Sequence, residues 1–520
     1  MHSRVLSSRA DLSFRPRLSV SRGLNFQPIA EGSEYYRSDT IGVNRIGYRY
    51  TPAGINGPGH VLPCRTIESS PQTYRISWED RSTFVAVTQD GLGLLGSTGF
   101  RSARCNAPIR EGSWYMEVKV LSGGGQHASG EGKREGSHVR LGWGRREAPL
   151  NGPVGLDGYS YGIRDKTGEK VALSRPRPYG RPYGSGDVIG MYISLPPKRQ
   201  ANPKNHHDPA RLKRERIAID LKGQEMFESL EYTQSKEMSV LMDYSGKSTN
   251  SSSIAASKKV ASGKLPERGP KSTPKANTGN LRPLPTLAGS RIAFFINGEC
   301  QGTAFEELYD YLQLEQTSVS RKNQARRRVR EGVKEHTENP FDDGTLGYYP
   351  FISLFNEASV RLNPGPNFAF PPPRDIDAML SGQTEAADEQ TWRPICERYP
   401  EFMEEQWELD KLDEAEAVIE AEKMAIAEQV QNEKRTQRQK KRQQAEVRKR
   451  VKLSETPMPE DSSVFLNPQP TPQPSPLRHE TAFVIEAGLN NPSPLRQHSV
   501  PGDADGVQVD DDPAQIEVVR

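Results

Sequence analysis

Cysteine is scarce. The 520-residue chain has four, Cys64, Cys105, Cys300 and Cys396. They lie far apart and form no CxxC pair, which excludes a disulfide framework and any zinc finger of ordinary spacing. A reducing compartment fits that usage. Long apolar runs are missing as well: none approaches the ~20 residues a membrane span needs, so no membrane role is expected. Apolar residues make up only 34 %, against 45 Gly and 41 Pro, and mean hydropathy is -0.75. Much of such a chain cannot bury enough apolar surface to offset chain entropy, so one folded core with long disordered parts is expected. Charge of one sign does not dominate either, since the net value is +3. The signal is local: basic clusters at Arg326–Arg330 and Lys434–Lys452, and an acidic patch at Asp510–Asp512.

The stretch RLGWGRREAPLNGPVGLDGYSYGIR, Arg140 to Arg164, carries most of the functional information. An apolar strand delivers Arg140 and Trp143. A Pro- and Gly-rich turn follows, then Tyr159 and Tyr161, then Arg164. Two guanidinium groups beside aromatic rings suit an acidic peptide. They suit catalysis poorly, because neither Arg nor Tyr titrates near neutral pH and no nucleophile sits among them. The Gly123–Gly125 loop lacks the Lys-Ser/Thr of a phosphate loop, and His206–His207 has no nearby ligand set. Binding without a cofactor, a metal or catalysis is therefore the expectation.

Residues 1–40 read as a polar, disordered arm. Its Arg- and Ser-rich start could also be a transit peptide, although Asp11 and Pro16 weaken the helix such a signal needs. From Ile41 short alternating strands take over. Trp114, Met116, Val118 and Val120 share one face, as do Ile189, Met191, Ile193 and Leu195. Strands with Gly/Pro turns predict an antiparallel β-sandwich rather than βαβ units. Polar insertions interrupt it at about 196–285, with one helix expected near Met226–Tyr232, and at about 313–338. Loops tolerate such lengths at little entropic cost. Asn297-Gly298 is a strong hairpin signal. Pro371–Pro373 closes the domain. A long helix is expected over 400–450, apolar first and basic after Val430. The Pro/Ser-rich tail, 451–520, should be disordered.

The motifs WYMEVKV, RLGWG, GLDGYSYGIR, GSGDVIGMYISLP, FFINGECQGTAF and LGYYPFISLFNEASVRLNPGPNF resemble a SPRY (B30.2) domain. The resemblance is to the Ash-two/Bre-two family, non-catalytic SPRY subunits of the COMPASS (Set-one/MLL-type) histone H3 lysine-4 methyltransferase complex. It covers residues 41–373 apart from the insertions. It implies a nuclear scaffold that stimulates the SET-domain methyltransferase, the subunit that binds S-adenosylmethionine. By motif position, Phe100, Arg140, Pro153 and Arg164 would grip an acidic segment of the WD40 subunit of the retinoblastoma-binding-protein-five/Swd-one type, with Tyr159 beside them. The family often carries Tyr where this chain has Phe100, so a phenolic hydrogen bond is missing there. Trp407, Leu409, Leu412, Ala415, Val418 and Ile419 would dock a Dpy-thirty/Sdc-one-type helical dimer. Animal members add a PHD-type finger; this chain has too few cysteines for one and looks like the shorter fungal form.

Other readings stay open at this level. Arg140 and Arg164 could pair with acids inside the domain. The helix could pack on its own sandwich or form a homomeric coiled coil, although sustained a/d heptads are missing. The run Lys434–Lys452 could be a solvated face, a nuclear localisation signal or a nucleic-acid contact, and Ala325–Arg330 could touch nucleosomal DNA without reading sequence. Ser475 and Ser493, in two PSPLR repeats, are phosphorylation candidates or plain low complexity. SPRY domains also serve as substrate receptors of ubiquitin ligases, but no RING, coiled coil or SOCS-like box is visible.

Overall fold

The computed structural model describes residues 26–38, 48–56, 59–62, 64–66, 70–125, 136–221, 224–232, 234–242, 282–315, 339–382 and 390–454. The start of the N-terminal arm, the cluster Ala325–Arg330, and the tail with Ser475 and Ser493 lie outside the described residues. Two compact units divide the chain. Among the described residues the first ends at Lys434 and the second begins at Arg435.

Alternation decides the architecture of the first unit. In Gly112–Ser122 and Val188–Leu195 every second side chain is apolar and turns the same way. Antiparallel pairing then sets Met191 opposite Met116 and Ile189 opposite Val118. These strands lie inside a 10-stranded sheet, flanked by Ser359–Asn363 on one side and the hairpin Arg291–Ile296/Glu299–Glu306 on the other. That hairpin turns on Asn297-Gly298, both at positive φ, 51° and 83°, the twist-matched turn that Asn-Gly favours. A 7-stranded sheet runs from Arg175–Arg177 through Lys170–Ala172, Ser160–Arg164, His138–Gly144, Tyr349–Phe355 and Arg101–Cys105 to Ile76–Arg81. Its Val139, Leu141 and Trp143 share one core with Met116, Val118, Ile189 and Met191. Two sheets closed on one core make the expected sandwich.

Four segments depart from the sequence reading. Pro371–Pro373 does not close the domain: Ile376 and Trp392 pack on Tyr115 and Phe295, and Arg393–Pro394 pairs with Gly112–Ser122, because these apolar side chains cover the outer face of the sheet. Inside the polar arm, Phe26–Pro28 and Tyr36–Ser38 form a strand pair, held because Phe26 stacks edge-on against Trp78 at 5.4 Å. Inside the first insertion, Arg216–Leu221 and Gln224–Leu230 build a 4-stranded sheet with Tyr48–Ile55 and Cys64–Thr66. The helix expected near Met226–Tyr232 is thus a strand. Pairing with Tyr48–Ile55, remote in sequence, overrides the local helix preference. A helix does form slightly later, at Lys236–Met242.

A buried charge cluster ties this third sheet to the sandwich. Asp80 accepts from Arg49 at 2.9 and 3.1 Å, from Arg146 at 2.6 Å and from Arg104 at 3.4 Å. Glu231 meets Arg49 and Arg146, each at 3.4 Å. The arginines hold the Asp80 carboxyl below its ordinary range against the cost of burial, whereas burial pushes Glu231 up to about 7. A helix of 57 residues, Arg398–Ser454, ends the described chain.

Candidate functional site: the Arg140 face and the terminal helix

Residues 139, 141 and 143 point into the core, so Arg140 and Gly142 must point outward. The same rule turns Tyr161 and Ile163 inward and Gly162 and Arg164 outward. Antiparallel register then places Arg140 directly opposite Arg164 and Gly142 opposite Gly162. The two glycines are required: a Cβ on Gly142 would stand 1.9 Å from the Tyr161 carbonyl oxygen, and one on Gly162 2.5 Å from the Val154 side chain. The turn after Gly144 folds back onto this outer face, where Ala148, Val154, Tyr159 and Phe351 form a second small core with Met238.

That fold-back brings Pro153 to the arginines. The Val154 carbonyl next to it accepts from Arg140 Nη1 at 3.4 Å, and the Val154 N–H donates to Ser353 Oγ at 2.7 Å. Phe100 lies under the Arg140 guanidinium, 4.6 Å from its carbon, and is itself backed by Phe355 at 4.9 Å. Phe100, Arg140, Pro153 and Arg164 thus share one patch, all half-buried.

Tyr159 does not. It is 2 % exposed, its ring lies under Arg145 at 5.0 Å, and its hydroxyl accepts from the Ser235 N–H at 2.7 Å. Tyr161 and Trp143 are core residues as well. The aromatic wall of the patch is therefore Phe100, not the tyrosine pair. Alternation explains this. Tyr161 is three residues from Arg164 and faces the opposite side of the sheet. Tyr159 is drawn under the folded-back turn.

The electrostatics of the two arginines differ. Arg164 Nη1 donates to Glu169 at 2.9 Å, so an internal acid does hold this one. Arg140 has no carboxylate partner among the described residues. Burial first, and the Arg164 charge second, pull its pKa down to about 10. Like charges directly across a strand pair repel. One long bond to a carbonyl uses little of a guanidinium's five donors. The arrangement can accept an anion: a carboxylate set between the two guanidiniums would neutralise the repulsion and fill the empty donors. Glu169 and the Val154 carbonyl, which set the two arginines apart, carry no signal that sequence alone would expose.

The terminal helix has two different sides. Tyr399, Met403, Gln406 and Leu409 are buried against the sandwich and the loop at Gly344. Asp410 and Asp413 clamp Arg216 at the start of a third-sheet strand and Arg214 just before it at 2.6–3.1 Å, and Glu414 accepts from the backbone N–H of Val61 and Leu62. Leu409, expected in a partner-docking stripe, is thus used by the chain's own fold, with 7 % exposure. Trp407, Leu412, Ala415, Val418 and Ile419 remain exposed. At 3.6 residues per turn, Leu412, Ala415, Ile419, Ile426 and Val430 fall on one stripe about half a turn from the clamped face. The helix is therefore neither wholly packed on its domain nor wholly free. The clamp was not legible because Arg214 and Arg216 sit in a stretch that reads as polar insertion.

The SPRY domain family model matches residues 113–198, the span holding Arg140, Pro153 and Arg164. The Set1 complex component ash2 of Schizosaccharomyces pombe is 34% identical over 405 residues, covering 78% of this chain and 50% of that protein. The COMPASS component cclA of Colletotrichum higginsianum is 33% identical over 423 residues, covering 74% of this chain and 69% of that protein. The COMPASS component BRE2 of Saccharomyces cerevisiae is 30% identical over 211 residues, covering 35% of this chain and 42% of that protein. The chain thus spans about half the length of the S. pombe relative and about two thirds of the C. higginsianum one. With that coverage, and with the antiparallel sandwich in place, the chain belongs to the SPRY-domain Ash2 family of Set1/COMPASS components.

Proposed function

We propose that this chain is a non-catalytic scaffold subunit of a nuclear COMPASS-type histone H3 lysine-4 methyltransferase complex. Its Arg140 face takes an acidic segment of the WD40 subunit. The outward stripe of its terminal helix takes a small helical dimer, and together they order the SET-domain enzyme and raise its activity. One observation supports the first contact above all: Arg140 is a half-buried guanidinium, stacked on Phe100, with no carboxylate of its own among the described residues and a second arginine across the strand pair. The exposed stripe Leu412, Ala415 and Ile419 supports the second, as an amphipathic helix anchors in a partner's groove through such spacing. Family membership supports the assembly.

A bidentate contact from a guanidinium to a carboxylate contributes about 1.5–3 kcal/mol. Arg140→Ala should therefore weaken binding of the WD40 subunit's acidic segment by roughly 10- to 150-fold. Calorimetry with the purified chain reads this directly. In cells, tagged wild type should recover the WD40 and SET-domain subunits, while Arg140→Glu loses them and keeps the helical dimer. Recovery of the whole complex by Arg140→Glu would reject the site. Failure of wild type to recover any of it would reject the function.

A further inference from the structure

The second unit of the chain carries a feature that the assembly does not use. Its described residues continue the helix from Arg435, and all those through Arg448 are exposed. Six of these are basic and one, Glu446, is acidic. At 3.6 residues per turn, Arg435, Arg438, Lys441, Arg442 and Arg448 fall within about 140° of one another, and Lys440 alone lies outside. Gln439, Gln443, Thr436 and Val447 occupy the opposite side.

This order is unfavourable for a free helix. Arg435–Arg438, Arg438–Lys441 and Arg438–Arg442 are like-charge neighbours at three and four residues, a spacing that destabilises. The one acid in the stretch, Glu446, cannot offset all five charges. A line of negative charge laid along the face would. The five charges extend over about 20 Å of helix, one per ~4 Å, and a B-DNA strand carries one phosphate per ~3.4 Å of axis. Residues 435–448 contain no aromatic side chain on which an unpaired base could stack, which argues against single strands. The glutamines that could read base edges are mostly turned away from the basic side, which argues against sequence readout.

We propose that the Arg435–Arg448 helix face binds duplex DNA through its phosphate backbone, without sequence preference. The proposal stands independently of the assembly described above. The test is anisotropy of a labelled mixed-sequence duplex with the full chain across a salt series. Five phosphate contacts predict a log–log salt slope of about -4.5, hence roughly 500-fold weaker binding at 200 mM than at 50 mM salt. Replacing Arg435, Arg438, Lys441 and Arg442 by Gln should flatten the slope by about 3.6 and cost at least ~100-fold in affinity at low salt. A second variant separates a face from mere charge: Arg438→Gln with Gln443→Arg. It keeps the net charge and moves one guanidinium off the stripe to the opposite side, leaving four on it. It should bind about 3-fold more weakly and lower the slope by close to one contact, about 0.9. The proposal is overturned if wild type shows a slope near -1, if the quadruple variant binds like wild type, if the rearranged variant does so, or if single-stranded DNA competes as well as duplex.

Discussion

Asp410 is the centre of the contact between the terminal helix and the third sheet, and its removal has a calculable effect. Its carboxylate accepts from the Thr66 N–H at 2.8 Å, from Thr66 Oγ1 at 3.0 Å, and from Arg214 and Arg216 at 2.8 and 2.7 Å. Arg214 has a side chain only 3% exposed, so Asp410→Ala leaves a buried guanidinium with Asp413 as its remaining acid. Breaking one side of a buried pair costs about 3–5 kcal/mol, and the surviving Asp413 contact reduces this to roughly 2–4 kcal/mol. Backbone amides of the helix segment 400–414 should then exchange about 30- to 700-fold faster at neutral pH, read by hydrogen–deuterium exchange with mass spectrometry. Asp410→Asn, which keeps an acceptor for Thr66, should fall between the two. The two arginines hold the Asp410 carboxyl below its ordinary range. Its contribution is therefore complete above the unfolded value near 3.9 and is lost as pH falls through the lower folded value. Wild type and Asp410→Ala should differ by the same amount at pH 5 and pH 7 and converge only below about pH 4. Unchanged exchange in Asp410→Ala would refute the reasoning, because the helix would then be held by its apolar contacts alone.

Further outcomes follow from other parts of the molecule. Leu412→Glu with Ile419→Glu should abolish capture of the helical dimer while leaving the thermal midpoint within about 1 °C, since exposed substitutions change stability little; a fall in midpoint instead would mean the stripe packs on this chain. Gly142→Ala should yield little soluble protein, because its Cβ would stand 1.9 Å from a backbone oxygen in the middle of the sheet, and normal expression would refute the close approach. Glu231, raised to about 7 by burial, holds a proton in the folded state that the unfolded state has already released above its ordinary pKa. Stability should therefore decline as pH rises from about 4.5 to 7 through this group, and Glu231→Gln should flatten that decline in denaturant titrations.

The parts of the fold that were legible are those where a face repeats. The core of Gly112–Ser122 and Val188–Leu195 follows from alternation alone, and the Asn297-Gly298 hairpin from the conformational freedom of two residues. The placing of the candidate patch was half legible. Motif position brought Phe100, Arg140, Pro153 and Arg164 together, yet it added Tyr159, which the folded-back turn buries. What escaped is long-range and polar. The clamp between Arg214, Arg216, Asp410 and Asp413 joins positions nearly two hundred residues apart. No local pattern announces it, because a charged side chain reads the same whether its partner is water or a distant carboxylate. Leu409 was misassigned for the same reason: periodicity gives the apolar side of a helix but not what covers it.

The first insertion leaves and re-enters the sheet at adjacent points, since Ser194 and Arg291 face each other on neighbouring strands. A short turn could close that gap, so shortening the domain by cutting out residues 196–285 would look harmless. The excised piece would take Arg214, Arg216 and Glu231 with it. The sandwich would close, but the terminal helix would lose its footing and the Asp80 cluster one of its two acids. An engineered minimal domain should therefore keep Arg211–Met242, and a natural relative lacking this piece would need another way to seat its helix.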